Sequence, residues 1–336
     1  MDVQLALDLV LQYGWNATAY QILNPGMEHW FSPRGDAVVG FVRHYGVRVA
    51  AGAPVCPTGR LADVVREFEG DAPGRVCYFG AEERLIEALP CGRSHTAIVL
   101  GAQPAWNPAD WSDMIGGHAS LRAQLHRARN KGVRVERWDN ADATAHPSLQ
   151  RCLQQWLSTR GLPPLHFLVE PQTLTRLFDR MVFVARRGEE VIGFLVASPV
   201  PLRRGWLIEQ NVRGPSAPNG TAELLIDAAV RAMADAGSAY VTLGLSPISR
   251  HAPLRDEANP PWLRTVLTAV RAWGRRFYNF EGLDDFKAKF HAPRWETVYA
   301  VANESAMSVR TLFATAAAFA GENPLRTLLK GMRRHH

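Results

Sequence analysis

The chain has 336 residues, 47% of them hydrophobic, which is enough apolar material for one large or two ordinary packed domains and excludes an intrinsically disordered protein. A formal net charge of +6 favours an acidic partner such as nucleic acid, anionic lipid or phosphate. No apolar run approaches the roughly 18 residues of a membrane-spanning helix, and the N-terminus lacks the basic segment of a secretory signal. The four cysteines are scattered, which predicts reduced, buried thiols rather than a zinc site.

The first half of the chain predicts a series of short elements. Alternating valines on either side of Tyr45-Gly46 indicate a β-hairpin, because apolar residues at every second position build one buried face of a strand. Apolar residues spaced by three and four positions instead predict helices. In chain order we expect a helix at 2–13, the hairpin, a helix at 60–70, a strand at 74–81 and a short helix at 81–89.

The second half repeats this order. We predict a hairpin at 181–200, a strand at 205–212, a Pro/Gly-rich loop, a helix at 221–237 and a strand at 239–246. Hairpin, glycine-containing loop, helix and strand is the order of the acetyltransferase-like (GNAT) fold. We therefore predict an α/β (α+β) protein of tandem GNAT domains with mixed sheets, joined by helices. The predicted domains are 1–161, with a basic linker helix, and 162–305, and basic amphipathic helices follow at 306–336.

The linker between the halves includes a basic helix, predicted from about Trp111 to Lys131. The stretch 121–137 holds six Lys or Arg residues against one carboxylate. Arginine forks pair bidentately with phosphate oxygens, so a surface for phosphates is one interpretation, and a solvated helix face is the other. The candidate phosphate-binding residues are Arg122, Arg127, Arg129 and Lys131.

The loop before the helix at 221–237 is a second candidate site. Asn219 or Thr221 is expected to cap the helix, whose free amides would then bind an anion. Only Gly220 lies near the helix start, whereas an acyl-CoA enzyme normally has a glycine-richer loop. Glu223 in the first turn either faces a ligand ammonium or is an ordinary surface acid.

The stretch 278–300 mixes acids, cations and aromatic residues. Lys287 and Lys289 share a face if this segment is a strand, and diverge if it is helical. Arg294 and Trp295 suit a ligand with a flat or phosphorylated part, although an ordinary strand with salt-bridged edges has the same composition.

The C-terminal stretch predicts two helices broken at 321–324. The second has leucines on one face and cations around it, which suits either an anionic membrane surface or docking on the protein's own core.

Several of these stretches together resemble the C-terminal catalytic domain of the phosphatidylglycerol lysyltransferases, the bacterial multiple-peptide-resistance family. They are YGWNATAY and GAPV near the start, LRAQLHRARNKGV in the basic helix, APNGTAELLID and VTLGLSPIS in the second half, and FKAKFHAPRWETVY. The resemblance extends from about residue 10 to residue 330. Members of the family often have Asp where this chain has Glu223.

The resemblance implies a tandem GNAT-like enzyme that moves an aminoacyl group, of lysyl or alanyl type, from a charged tRNA to the hydroxyl of phosphatidylglycerol or a related lipid. It implies no cofactor and no metal, with charged tRNA and anionic phospholipid as partners. We expect a cytoplasmic protein, free or resting on the inner face of the cell membrane. Full-length members carry an N-terminal flippase of several helices that this sequence lacks.

The resemblance also suggests roles for individual side chains. Lys289, with Lys287 as the alternative, would stabilise the oxyanion or the terminal tRNA phosphate. Glu223 or Glu281 would hold the aminoacyl ammonium or assist removal of the hydroxyl proton. Binding residues would be Asn219, Thr221, Arg294 and Trp295, together with the cations of the basic helix.

Three other functions remain open at this stage. They are Fem-like aminoacyl transfer to a peptide or small molecule, N-acyl transfer from acyl-CoA, and non-catalytic binding of lipid or RNA.

Overall fold

The computed structural model describes residues 2–89, 95–159, 166–252 and 280–321, and its strands form one twelve-stranded mixed sheet. Alternate residues of each strand enter different hydrophobic clusters. Val49 and Cys77 face one cluster, for example, whereas Ala50 and Tyr78 face another. The sheet is thus covered on both faces, as the predicted α/β class requires.

The helices are α1 Asp2–Tyr13, α2 Leu61–Asp71, α3 Glu83–Glu87, α4 Trp111–Gly117, α5 Ala119–Asn130, α6 Asn140–Ala143, α7 Pro147–Ser158, α8 Thr221–Asp235, α9 Phe280–Ala288 and α10 Val309–Ala320. The strands are β1 Glu28–Phe31, β2 Val38–His44, β3 Val47–Ala51, β4 Arg75–Glu82, β5 Thr96–Trp106, β6 Val133–Trp138, β7 Met181–Arg187, β8 Glu190–Val200, β9 Gly205–Arg213, β10 Tyr240–Thr242, β11 Ser246–Pro247 and β12 Arg294–Ala302.

The repeat predicted from the sequence is confirmed. In the first half the β2–β3 hairpin is followed by α2 and by β4, which lies parallel to β3. In the second half β8 and β9 are antiparallel, and α8 leads to β10, which lies parallel to β9. Both predicted hairpins are present, with turns at Tyr45-Gly46 and between Arg187 and Glu190.

The two halves exchange their last strands at the centre of the sheet, where the strand order is β4-β12-β5-β10. The late strand β12 pairs with β4 of the first half, and the early strand β5 pairs with β10 of the second half. β5 and β12 also pair with each other along their full lengths. The sheet therefore continues without a break across the predicted domain boundary near residue 161.

One of the helical segments differs from the sequence prediction. The single helix expected over 111–131 is two helices, α4 and α5, which meet at His118 after the pair Gly116-Gly117. Glycines at this point weaken helix continuation, because they cost more backbone entropy than other residues. α10 ends at Gly321 as predicted, and its buried alanines pack on the first half of the sheet.

Other predicted features cannot be compared with the structure. The second C-terminal helix, near residues 325–334, lies outside the described residues, as do Pro163-Pro164 and Cys91. Among the helices of the described part, none is long and apolar enough to cross a membrane.

A cluster of polar side chains fills the centre of the strand exchange. Each of the four central strands contributes one member, namely Glu82 from β4, Glu296 from β12, Gln103 from β5 and Tyr240 from β10. The Tyr240 hydroxyl donates to Glu296 Oε2 at 3.0 Å, and Gln103 Nε2 donates to the same oxygen at 3.2 Å. The cluster thus connects the strands of both halves through side chains as well as through the sheet ladder.

Arg203 supplies the positive charge of this cluster from the turn after β8. Its Nη1 donates to Glu82 Oε2 at 3.0 Å and to Glu296 Oε2 at 2.9 Å, and its guanidinium lies 3.6 Å from the centre of the Tyr240 ring. Burial raises the pKa of Glu82 to about 7, although the charge of Arg203 acts against this. For Glu296 burial also acts upward, but hydrogen bonds from Arg203 hold its pKa below the usual range.

Replacement of the central arginine tests this cluster. Arg203→Met leaves Glu82 and Glu296 without their shared cation in a buried setting, so the free energy of unfolding should fall by about 3 kcal/mol. Chemical denaturation near pH 8 measures this loss. The neighbouring Arg204 is exposed, so Arg204→Met should change stability by less than about 0.5 kcal/mol. Equal effects of the two substitutions would contradict the central role of Arg203.

Candidate functional site

The candidate site lies at the N-terminal end of α8, the helix that joins the parallel strands β9 and β10. Gly220 precedes the helix with φ = 94°, a left-handed conformation that glycine adopts without strain. The predicted caps are wrong, because neither Asn219 nor Thr221 caps the helix with its side chain. Asn219 is exposed, and the fully buried Thr221 donates its hydroxyl to Pro218 O at 2.7 Å.

The basic helix α5 packs directly against this helix start. A Cβ atom at Gly220 would lie 2.2 Å from the backbone oxygen of Gln124 and 3.3 Å from the side chain of Ala128. This close approach explains why only glycine fits at position 220.

Two of the predicted catalytic residues meet at the first turn of α8. Lys289 Nζ lies 3.7 Å from Glu223 Oε1, a distance of an ion pair rather than of a tight hydrogen bond. The Glu223 side chain is 9% exposed and that of Lys289 is 51% exposed. The Lys289 ammonium is therefore accessible to a ligand, and the buried Glu223 carboxylate lies directly beside it.

The turn after α9 holds Lys289 in place. Its backbone N–H donates to Asp285 O at 3.2 Å, which extends the helix ladder by one residue. The next residue, Phe290, is fully buried and stacks on Trp111 with ring centres 5.8 Å apart. Trp106 Nε1 also donates to Phe290 O at 3.0 Å. Lys289 is therefore carried by a rigid turn.

Lys287 has a different environment, because this segment is helical and the two lysines diverge. Its ammonium is buried and donates to Gly244 O and Leu245 O, both at 2.8 Å. Burial lowers the pKa of Lys287 to about 7, against the opposing charge of Asp284. This placement gives Lys287 a structural contact and leaves Lys289 as the accessible lysine. Glu281 belongs to α9, but its side chain lies outside the described residues.

Lys287 and Asp284 join two stretches that are distant in sequence, VTLGLSPIS and FKAKFHAPRWETVY. Ser246 Oγ donates to Asp284 Oδ1 at 2.8 Å. Burial acts to raise the pKa of Asp284, but hydrogen bonds from Ser249 and Ser246 hold it below the usual value. These contacts fix α9, and with it the Lys289 turn, to the end of β10.

Arg294 and Trp295 begin β12 and contact different groups. Arg294 Nε lies 3.2 Å from Glu296 Oε1, so this side chain belongs to the edge of the central cluster. Trp295 stacks on His251 at 4.0 Å between ring centres. No contact among the described residues joins either of them to the Glu223–Lys289 pair.

The cations of the basic helix divide into two groups, as their spacing indicates. Arg122 and Arg129 line a cavity of about 270 Å³ between α4, α5 and α8. Arg127 is exposed elsewhere on α5, near Gln124, and the exposed Lys131 directly follows the last residue of that helix.

Sequence reasoning missed several residues that organise this region. The buried Asp227 and the cavity-lining Arg231 lie four and eight positions after Glu223, on one stripe of α8. That spacing could have identified them once Glu223 was selected. Nothing local in the sequence marks Arg203, Gln103 or Tyr240, because they meet only through the strand exchange.

Comparisons with known proteins identify a matching family model. A family model described as "Phosphatidylglycerol lysyltransferase, C-terminal" matches residues 8–302. A search of the curated proteins gives no significant match.

Solved structures show the same fold. The C-terminal domain of a candidate lysylphosphatidylglycerol synthetase from Agrobacterium fabrum is 22% identical with a TM-score of 0.81, over 95% of this chain and 97% of that one. L-PGS from Bacillus licheniformis is 18% identical with a TM-score of 0.76, over 98% and 95%. FemX is more distant, with 8% identity and a TM-score of 0.51 over 79% and 91%.

The buried Lys287 makes a pH-dependent contribution to stability. Between about pH 7 and 10.5 the unfolded chain keeps a proton that folded Lys287 has released, so the free energy of unfolding rises with pH across this window. Lys287→Met removes this rise. Urea denaturation at several pH values should therefore show the stability of the wild type relative to the variant increasing towards high pH. A difference that stays constant with pH would contradict the assignment.

Proposed function

This chain belongs to the phosphatidylglycerol lysyltransferase C-terminal domain family, and we propose that it transfers an aminoacyl group, of lysyl or alanyl type, from a charged tRNA to the glycerol hydroxyl of phosphatidylglycerol. The observation that carries the proposal is the Glu223–Lys289 pair at the start of α8, 3.7 Å apart. It combines a buried anion and an accessible cation, which are the two charges that this reaction needs.

The reaction is an exchange of one ester for another. The lipid hydroxyl oxygen forms a bond to the aminoacyl carbonyl carbon, and the bond from that carbon to the tRNA ribose oxygen breaks. The hydroxyl proton ends on the released ribose oxygen. Since the donor ester is already activated, the enzyme mainly has to position the hydroxyl and stabilise the tetrahedral oxyanion.

Each member of the pair matches one requirement. The Lys289 ammonium stabilises the oxyanion as it develops. The Glu223 carboxylate holds the ammonium of the aminoacyl group or accepts the hydroxyl proton on its way to the ribose. The aminoacyl ammonium and the developing oxyanion are opposite charges that lie close together. Glu223 and Lys289 offer one negative and one positive charge at a similar separation, Glu223 for the ammonium and Lys289 for the oxyanion.

Acyl-CoA is the less suitable donor. A CoA pyrophosphate is normally bound by free amides at the start of a helix. Here Gly220 is the only glycine near the start of α8, and the backbone of Gln124 packs against it, so α8 lacks the glycine-rich loop that normally exposes such amides. The acceptor lipid places the reaction at the inner surface of the membrane, where the protein would act as a peripheral enzyme.

A transfer assay with purified protein tests the proposal. Lysyl-tRNA or alanyl-tRNA with a labelled amino acid is incubated with phosphatidylglycerol vesicles, and label in the lipid extract is measured. Lys289→Met should lower the rate by about 100-fold, because it removes an oxyanion donor. Glu223→Gln should lower the rate by at least about tenfold.

Two controls separate chemistry from folding. Glu189 lies in a hairpin turn with its side chain 98% exposed, so Glu189→Gln should retain the wild-type rate. Lys289→Arg retains the charge and should recover part of the activity. Absence of label in any lipid with all common charged tRNAs would overturn the proposed function, and full activity of Lys289→Met would overturn the assigned site.

A further inference from the structure

The cavity between α4, α5 and α8 has the composition of a phosphate site. Its polar lining consists of Ser112, Arg122, His126, Arg129 and Arg231. Its volume of about 270 Å³ is many times the roughly 10 to 15 Å³ that a single water molecule needs. The cavity has room for a phosphodiester together with part of a neighbouring sugar.

A buried carboxylate organises two of the arginines. Asp227, 1% exposed, accepts from Arg129 Nη2 and from Arg231 Nε, both at 2.9 Å. Trp111 Nε1 donates to the same carboxylate at 3.1 Å, and Arg231 Nη1 donates to Ser112 Oγ at 2.9 Å. A guanidinium has five N–H groups, of which these contacts use one on Arg129 and two on Arg231, so both side chains keep N–H groups for a ligand.

Arg122 reaches the cavity from α5, like Arg129, but is held by contacts with α4. Its Nη1 donates to the backbone oxygens of Ile115 and Gly116 at the end of α4, where a cation is favoured. The cavity thus holds three guanidinium groups against the single carboxylate of Asp227, an excess of two positive charges. Pre-positioned arginines in excess over carboxylates are what a phosphate group requires.

We propose that this cavity binds a backbone phosphate of the tRNA close to its aminoacylated end. The inference rests on the proposed function, because the RNA is the aminoacyl donor. Along α8, Asp227 and Arg231 follow Glu223 by one and two turns, or about 6 and 12 Å of helix rise. An RNA strand whose terminal ester lies at Glu223 would have to bridge about 12 Å along the helix axis to place a phosphate beside Arg231.

The surroundings favour RNA over a lipid headgroup. Exposed cations, Arg127 and Lys131, continue the positive surface beyond the cavity, which suits a ligand with repeated phosphates. Among the described residues, no large apolar side chain is exposed on α4, α5 or α8. Those that are exposed lie elsewhere, at Val3, Leu5, Leu11, Tyr45, Val169, Phe178, Leu202 and Val309. A surface that received a lipid would be expected to offer apolar contacts to its acyl chains.

Binding of uncharged tRNA by the full chain tests the proposal without any catalytic step. Arg231→Gln should weaken binding about fivefold at low salt and reduce the slope of log affinity against log salt by roughly 0.7 to 0.9, the value for one lost phosphate contact. Arg122→Gln should act in the same way from another helix. Melting temperatures establish that both variants are folded, which is expected because Asp227 keeps Arg129 and Trp111 as partners.

A matched control is available on α2. Arg66 has a similar exposure, 52% against 42% for Arg231, and also pairs with an aspartate of its own helix. Arg66→Gln should leave tRNA affinity and salt slope unchanged. Equal losses for Arg66→Gln and Arg231→Gln would mean that charge alone, and not the cavity, determines binding, and would overturn the proposal.

A parallel measurement uses vesicles of phosphatidylglycerol in place of tRNA. Unchanged vesicle binding by Arg231→Gln, together with weakened tRNA binding, supports the proposal. Loss of vesicle binding with unchanged tRNA binding would assign the cavity to a lipid phosphate and overturn it, as would no effect on either ligand. If the wild type binds tRNA in the predicted way but transfers nothing to lipid, the cavity assignment stands and the proposed function fails.

Discussion

The shared cation at the centre of the sheet is the interaction on which the rest of the structure depends. Four strands from two halves meet there, and each places a polar side chain at the same point, around Arg203. Removing charged groups from water costs free energy, which is offset only when every partner is in place. The strand exchange is therefore coupled to this cluster. Two domains that folded independently would need neither the strand exchange nor the polar cluster.

The functional region follows from this arrangement. Because β5 belongs to the second half of the sheet, the chain leaves it beside α8, and α4 and α5 pack across that helix. β12 likewise returns to the centre after α9, so the turn carrying Lys289 lies against the first turn of α8. α8 thus collects partners from distant parts of the chain along a single stripe, with Glu223 at its start and Arg231 two turns later.

The sequence was informative where structure is set by near neighbours. Both hairpins and α8 follow from alternation, turn residues and helical spacing within about 20 positions. β5 was not predicted, because Gly101 and Pro104 interrupt its pattern and its partners are distant. The spacing of Lys287 and Lys289 in the sequence is compatible with a helix or a strand. The burial of Lys287 in the structure distinguishes the two, because it leaves only Lys289 accessible to a ligand. Arg203 gave no signal, since an arginine after a strand is usually solvated.

The central claim is that this chain esterifies a membrane lipid with an amino acid. Mass spectrometry of lipids from cells that express the protein, compared with cells that express the Glu223→Gln, Lys289→Met double variant, tests it most directly. The account predicts a new lipid with the mass of phosphatidylglycerol plus one amino acid less one water, present only with the wild type and lost on mild alkaline hydrolysis of the ester. Identical lipid profiles from the two strains, with both proteins folded and equally abundant, would contradict it.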